Sequence, residues 1–197
     1  MKSALPVILL LLGATRLAAE PPPPADARAR ELIAALHLGY LDGESGYFAV
    51  IGRSTQKVIA GGRELAAQSQ IYYLLTAEAP SNFLHGLESD DTHVLLEGGP
   101  VDYYIFHPDG RAECVTLGRD PAAGQRLVVA VPGGCRKALR LRPGAKFALL
   151  ANVLSPEWTP DRVQIGAGPD FISRYGGVAP WATPAFLREL IGPNWPR

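Results

Sequence analysis

Seven short runs rich in Val, Ile, Leu, Tyr and Phe fill the middle of the chain, and no helical pattern lies between them. We predict strands at residues 47–51, 69–76, 92–96, 101–106, 113–117, 126–131 and 146–154. Strands that recur at roughly ten-residue spacing without intervening helices are typical of β-sandwiches, barrels and jelly rolls. The sequence therefore predicts an all-β fold.

Glycine and proline separate the predicted strands, and the 21 Gly and 18 Pro of the chain make such turns frequent. The clearest turn is residues 107–110, His-Pro-Asp-Gly, between two strand-like runs. Pro, Asp and Gly each favour a tight reversal, so this segment predicts a β-hairpin.

Helical patterns occur only near the two ends of the chain. Residues 26–38 carry an apolar stripe behind Asp26, which can cap the first turn. Residues 184–191 follow Thr183, a second candidate N-cap, and stop before Gly192. We expect one helix before the strands and one short helix after them.

The first 19 residues have the order of a secretory signal peptide: a basic start, an apolar run and small residues before Glu20. The apolar run is short for a membrane span, although an uncleaved anchor is the alternative. Residues 20–25 predict a proline-rich tether. We expect an exported protein that does not contact a membrane once the signal peptide is removed.

The 19 basic and 19 acidic residues of the chain cancel. A general nucleic-acid-binding protein needs an excess of Lys and Arg, so we expect no nucleic-acid partner.

The two cysteines, Cys114 and Cys135, give an even count, which in an exported protein favours one disulfide. Two buried free thiols are the alternative, because sequence alone does not show whether the two Cα atoms approach each other.

One segment carries more than a strand pattern. In residues 79–100, His85 is followed by Asp91 and then by Gly98, which resembles the first cupin motif. Residues 131–137, with a Pro-x-Gly turn, resemble the second. Further pieces follow in order at 36–48, 53–54, 71–75, 117–125 and 153–156.

This ordered set resembles the Cupin_5 (DUF985) family of the RmlC-like cupin superfamily, over about residues 30–166. The resemblance implies a cupin jelly-roll β-barrel, or double-stranded β-helix, with an N-terminal and a short C-terminal helix. It also implies a cupin domain at 26–166, a C-terminal extension at 167–197 and a homodimer. The extension is expected either to close a pocket or to cover a dimer edge.

The chain departs from the metal-binding pattern of the superfamily. Cupins that hold a metal usually supply three His and one Glu, but here only His85 and Asp91 occupy ligand positions. Leu87 and Lys137 replace two histidines, and a protonated Lys repels a cation. We therefore expect no metal and no other cofactor; a rebuilt site of His85, Asp91 and His93 is the alternative.

Ionisable groups inside a dry barrel can act as acids and bases without a metal. The residues predicted for proton transfer are His85, Asp91, His93 and Glu44. Those predicted to bind a small polar or carboxylated molecule are Arg53, Tyr47, Tyr73, Arg136 and Lys137. Such a set suits proton abstraction next to a carbonyl, as in an isomerase, epimerase, cyclase or lyase.

Three other functions remain open at this point: a non-catalytic carrier or sensor of a small ligand, a structural protein whose barrel is filled by its own side chains, and a metal-dependent cupin enzyme. Structural roles are also open for single residues. Arg53 could pair with an acid on a neighbouring strand, and His93 could lie on a strand surface.

Overall fold

The computed structural model describes residues 21–196. The predicted signal peptide, residues 1–19, lies outside this part of the chain, as does the first residue of the tether. Within it, no helix has the length and apolar character needed to cross a membrane.

Two antiparallel sheets make up most of the described chain. With strands numbered in chain order, the six-stranded sheet contains, from edge to edge, β1 (Gly39–Tyr40), β2 (Tyr47–Arg53), β5 (Ser69–Thr76), β12 (Phe147–Ser155), β7 (Asp90–Gly98) and β10 (Val128–Val131). The five-stranded sheet contains β13 (Val163–Ile165), β6 (Ser81–Leu87), β11 (Arg136–Leu141), β8 (Val101–Phe106) and β9 (Ala112–Leu117). A small hairpin is formed by β3 (Lys57–Ala60) and β4 (Arg63–Ala66).

The main core lies between the two sheets. It collects buried apolar side chains from both, such as Leu75 and Leu150 from the six-stranded sheet and Val101, Ile105 and Leu139 from the other. Alternate residues of each strand face this interior, which is the arrangement expected of a jelly-roll barrel. The predicted all-β fold is confirmed.

The N-terminal helix, α1 (Ala27–Ala35), packs on the outer face of the six-stranded sheet through Leu32. Asp26 caps it as predicted, with its carboxylate accepting from the Ala29 N–H at 3.0 Å. The helix ends earlier than predicted, because His37 takes a left-handed backbone conformation with φ of 53°.

The C-terminal extension covers the outer face of the five-stranded sheet. It contains α2 (Pro169–Tyr175), which the sequence analysis did not predict, and α3 (Pro184–Ile191), which it predicted with these bounds and with Thr183 as its cap. Both helices bury apolar side chains against Leu84 of β6 and Phe106 of β8. Within this chain, the extension therefore completes a second core.

The predicted strands match the structure well where they are apolar: residues 69–76 and 101–106 are strands with those bounds. The 107–110 turn joins β8 to β9 as a hairpin, as predicted. However, β6 and β11 were missed. Their sequences, SNFLHGL and RKALRL, interrupt apolar residues with Asn, His, Gly, Lys or Arg and so lack a clean strand pattern.

The predicted disulfide is wrong, because Cys114 and Cys135 are both free. Cys114 is exposed on β9, where its neighbour Val115 faces the barrel core. Cys135 packs in that core itself. The two thiols thus lie on opposite faces of the five-stranded sheet.

Candidate functional site

A β-bulge in β6 brings polar side chains into the barrel. On β11, Lys137 pairs with His85, but Leu139 pairs with Asn82, so β6 carries one extra residue between the two pairs. A bulge of this kind changes the alternation of side chains along a strand. As a result, Asn82 and His85 both reach the same carboxylate, that of Glu44, although they are three residues apart.

Glu44 lies in the turn between β1 and β2. The Phe83 N–H donates to the Glu44 carbonyl at 2.8 Å, and the Asn82 amide donates to a Glu44 carboxylate oxygen at 3.3 Å. The Tyr73 hydroxyl donates to the carbonyl of the next residue, Ser45, at 2.6 Å. These contacts fasten the turn to the barrel beside His85.

His85 is held in one tautomer. Its Nδ1 lies 2.8 Å from the Phe83 carbonyl oxygen, which can only accept, and 3.5 Å from Glu44 Oε2. A neutral His85 therefore carries its proton on Nδ1 and its lone pair on Nε2. Burial holds the pKa of His85 below its ordinary value, the positive Lys137 acts in the same direction, and Glu44 opposes both.

Asp91 and His93 lie two residues apart on β7 and both face the interior. Asp91 Oδ2 lies 2.7 Å from His93 Nε2 and 2.7 Å from Lys137 Nζ. Tyr103 completes the row, with its hydroxyl 3.0 Å from His93 Nδ1. The geometry fits a neutral His93 whose Nε2–H donates to Asp91 and whose Nδ1 accepts from Tyr103.

The ionisation states follow from these contacts. Burial opposes ionisation of Asp91, but the positive charge of Lys137 and the hydrogen bonds from His93 and Lys137 outweigh it and hold the Asp91 pKa well below its usual range. Burial, helped by the charge of Asp91, raises the pKa of Tyr103 well above its ordinary value. Asp91 is therefore a carboxylate, and Tyr103 keeps its proton.

The cluster is closed to solvent and incompletely paired. His85, Asp91, His93 and Lys137 are each at most 3% exposed. Yet Asp91 Oδ1 has no hydrogen-bond partner, and neither has Oδ1 of Asn152, whose side chain reaches to 3.4 Å from His93 Nε2. Buried acceptors without a partner are rare in folded proteins, so these two atoms point to a missing donor.

The donor set does not suit a metal ion. Lys137 places its ammonium group against the Asp91 carboxylate, where a metal cation would meet its charge. Among residues 21–196, no group of three or more His, Cys, Asp or Glu side chains is placed to share a metal ion.

The structure brings together Glu44, Tyr73, His85, Asp91, His93 and Lys137 of the predicted site. His85 contacts Glu44, whereas Asp91 contacts His93 and Lys137 through Oδ2. The surface reading of His93 is wrong, since that side chain is buried.

Three predicted ligand-binding residues lie elsewhere. Arg53 is exposed and pairs at 3.0 Å with an acid, Glu157, which lies in the loop after β12 and not on a neighbouring strand as in the structural alternative stated above. Arg136 turns to the outer face of its sheet, where its guanidinium donates to Gln164 at 2.7 Å. Tyr47 packs under α1, edge-on to Tyr40. Alternation places Tyr47 and Arg136 on the outer faces of their sheets, whereas Arg53 is exposed because it is the last residue of β2.

Sequence reasoning missed Asn82, Tyr103 and Asn152. Asn152 gave a usable signal, because it is the polar residue within an otherwise apolar strand and shares its face with Leu150. Tyr103 could have been placed inside by its alternation with Val101. Asn82 could not, because the bulge that turns it inward leaves no mark in the residue pattern.

Comparisons with known proteins agree on one family. The family described as Cupin_5, Cupin superfamily (DUF985), matches residues 30–165. The uncharacterised protein YML079W of Saccharomyces cerevisiae is 30% identical over 158 residues, which is 73% of this chain and 78% of that protein.

Two solved structures are similar as well. One is a hypothetical protein from Leishmania major, with a TM-score of 0.65, 26% identity, and coverage of 74% of this chain and 89% of the other. The second is a protein from Shewanella oneidensis, with a TM-score of 0.64, 26% identity, and coverage of 74% and 88%.

Proposed function

Because the chain belongs to the Cupin_5 (DUF985) family, whose fold encloses a barrel interior, we propose that it binds a small polar molecule there and moves a proton on it without a metal. The observation that carries the proposal is the buried cluster around Asp91, with its two unpaired acceptors, Asp91 Oδ1 and Asn152 Oδ1. Leaving such atoms unpaired costs about 1–3 kcal/mol each. A ligand that donates hydrogen bonds to both would recover that free energy.

The charges in the barrel narrow the ligand class. Of the three cations predicted to hold an anion, Arg53 is exposed at the end of β2 and paired with Glu157, Arg136 faces outward, and Lys137 is already paired with Asp91. The vacant positions are acceptors. The cluster thus favours a ligand with hydroxyl or amino groups, such as a sugar or an amino sugar, over a carboxylate.

His85 is the residue proposed to move the proton. It is buried, and burial keeps its pKa low, so at neutral pH it is uncharged with its lone pair on Nε2. Glu44 and the Phe83 carbonyl hold the ring. An imidazole fixed in this way can accept a proton from carbon next to a carbonyl and return it, which is the step that isomerases and epimerases share.

The non-catalytic carrier or sensor is the second candidate, and one observation favours it. Asp91 is pinned by an ion pair and has a depressed pKa, so it is a poor base. If His85 does not reach the ligand, the cluster recognises a molecule and leaves it unchanged.

The test has two stages. Neutral sugars, amino sugars and the corresponding sugar acids are screened by native mass spectrometry against the wild type and Asn152→Leu, which removes one acceptor. Hits are then incubated in D₂O. Binding that Asn152→Leu weakens, with deuterium incorporation that His85→Gln abolishes, supports the proposal. Binding without incorporation identifies a carrier or sensor, and preferential binding of the acids contradicts the ligand class.

Export and a homodimer belong to the same proposal. Export rests on the pattern of residues 1–19, and the homodimer rests on the resemblance to the family. N-terminal sequencing of the protein recovered from its native cells tests the first, and light scattering of the purified protein tests the second.

A further inference from the structure

A second group of ionisable side chains lies at one rim of the barrel, on the five-stranded sheet. In the ladder between β8 and β11, Lys137 pairs with Ile105 and Arg136 pairs with Phe106. Continuing that register places Cys135 opposite His107, one step beyond the paired residues. Lys137 follows Cys135 by two residues, so both side chains face the barrel interior.

The distances define a relay of three groups. Cys135 Sγ lies 3.5 Å from His107 Nδ1, and His107 Nε2 lies 2.8 Å from Glu113 Oε1. Because a carboxylate only accepts, the shared proton sits on Nε2 in neutral His107, and the Nδ1 lone pair faces the thiol. A nucleophile, a base within reach and a third group that orients the base are the common arrangement of activated cysteines and serines.

The backbone of His107 is held by two hydrogen bonds. The His107 N–H donates to the Arg111 carbonyl at 2.9 Å across the hairpin turn, and the Tyr175 hydroxyl of α2 donates to the His107 carbonyl at 2.7 Å. The His107 side chain is only 12% exposed, whereas the Glu113 side chain is 43% exposed at the barrel rim. The relay thus leads from solvent to a thiol that packs in the core.

The thiol is protonated at rest. Burial raises the pKa of Cys135, and the negative Glu113 acts in the same direction, while the nearby Arg111 opposes them. A thiol of this kind reacts only if a base takes its proton as the new bond forms, and His107 is placed for that role.

We propose that Cys135, His107 and Glu113 form a second reactive centre, in which Cys135 takes an acyl group from an activated ester or thioester. Cys135 Sγ bonds to the acyl carbon, and His107 Nδ1 removes the thiol proton. The bond to the leaving oxygen or sulfur then breaks, and His107 returns the proton to that atom. The products are an acyl thioester on Cys135 and the free alcohol or thiol, and no oxidant or metal takes part.

The chain supplies its own control. Cys114 is free and exposed on the outer face of the same sheet, and its sulfur contacts no imidazole in the described structure. Accessibility alone therefore predicts that Cys114 is acylated faster. The relay predicts the opposite order.

The experiment treats the purified protein with p-nitrophenyl acetate at pH 7 and locates the acetyl group by peptide mass spectrometry over time. We expect Cys135 to be acetylated at least ~10-fold faster than Cys114, and His107→Gln to slow Cys135 by about 100-fold without changing Cys114. Glu113→Gln, at an exposed side chain, should slow Cys135 by less. Thermal unfolding of each variant checks the fold.

Faster labelling of Cys114 than of Cys135 in the wild type would overturn the proposal, whatever the variants do. Equal labelling of Cys135 in the wild type and a folded His107→Gln protein would do the same, and would identify Cys135 as a core residue. The relay shares no residue with the Asp91 cluster, so its failure leaves the proposed sugar binding standing.

Discussion

Lys137 shows how one residue can change the chemistry of a barrel. The motif resemblance implies a histidine at this position in metal-binding cupins, whereas here the ammonium group of Lys137 lies against Asp91. A buried carboxylate needs a positive partner, and here that partner is a side chain of the same protein. The two buried charges compensate each other, and the carboxylate keeps one oxygen, Oδ1, for a further donor.

Replacing Lys137 by Met should be strongly destabilising, because it leaves the Asp91 charge buried without a positive partner and with only the hydrogen bond from His93. We expect the free energy of unfolding, measured in urea, to fall by ~3–5 kcal/mol. Adding Asp91→Asn to the variant should recover part of the loss. Arg111→Met, which breaks an exposed ion pair with Asp109, is the control and should be close to neutral. If Lys137→Met lowered the free energy of unfolding only slightly, the Asp91 carboxylate would not need Lys137 as its partner.

His85 should make the stability of the protein depend on pH. Its folded-state pKa lies below the ordinary 6.5, so the unfolded chain binds more protons as the pH falls through 6.5. Stability from this residue is full above that pH and is lost below it, by up to ~1.4 kcal/mol per pH unit. The free energy of unfolding, measured in urea at several pH values between 7 and 5, should therefore change less with pH in His85→Gln than in the wild type. Exposed His37, replaced by Asn, should leave the pH dependence unchanged.

At the scale of elements, the turn that carries Glu44 depends on a close approach. Gly46 has a φ of 83°, and a Cβ atom there would lie 2.3 Å from the Tyr73 hydroxyl oxygen. Gly43, in the same turn, has a φ of 81° and nothing within 4 Å of the equivalent position. The two glycines share the backbone requirement and differ only in the contact.

Alanine substitutions at Gly43 and Gly46 distinguish the cost of the left-handed backbone from the cost of the contact with Tyr73. Gly43→Ala should cost about 1–2 kcal/mol for the left-handed backbone alone. Gly46→Ala should cost a further ~1–3 kcal/mol, because Tyr73 must move and its hydrogen bond to Ser45 is lost. Urea unfolding of both variants measures the difference. Equal losses would mean that Tyr73 does not hold the turn.

The elements also show how far the sequence could lead. Strands in which Ile, Leu, Val, Tyr and Phe predominate, such as β5 and β8, could be predicted to the residue, and Thr183 marked the start of α3. In contrast, β6 and β11 were missed because polar residues at their inward positions hide the strand pattern. Those polar residues belong to the site, so the strands that carry the site are also the hardest to predict from the sequence.

The sequence could predict several residues of the candidate site, but it could not predict which of their side chains contact each other. The four residues predicted for proton transfer form two buried pairs, His85 with Glu44 and His93 with Asp91. The pairing of the site side chains depends on the bulge in β6 and on the inward orientation of Lys137, and neither can be deduced from the residue pattern. The charge of Arg53 and Arg136 suggested a role in the barrel, but Arg53 is exposed at the end of β2 and Arg136 lies on the outer face of its sheet.

At the scale of the whole molecule, the C-terminal extension is part of the fold. The five-stranded sheet has an apolar outer face, where Phe106 lies 4.8 Å from the Phe171 ring and 5.1 Å from the Tyr175 ring. The extension also returns to the site, since the Asn194 amide donates to the Gly43 carbonyl at 2.6 Å. One continuous layer therefore links the outer core to the turn that holds Glu44.

Truncating a side chain of the extension should consequently weaken the whole protein. Leu187 of α3 is fully buried, so Leu187→Ala should lower the free energy of unfolding by ~2–5 kcal/mol and the midpoint of thermal unfolding by several degrees. Leu127→Ala, at a position 54% exposed, should stay within about 0.5 kcal/mol. The informative readout is cooperativity: far-UV and near-UV circular dichroism should report the same lowered transition. Two separate transitions, with the extension unfolding first, would contradict this prediction and show that the barrel is stable without the extension.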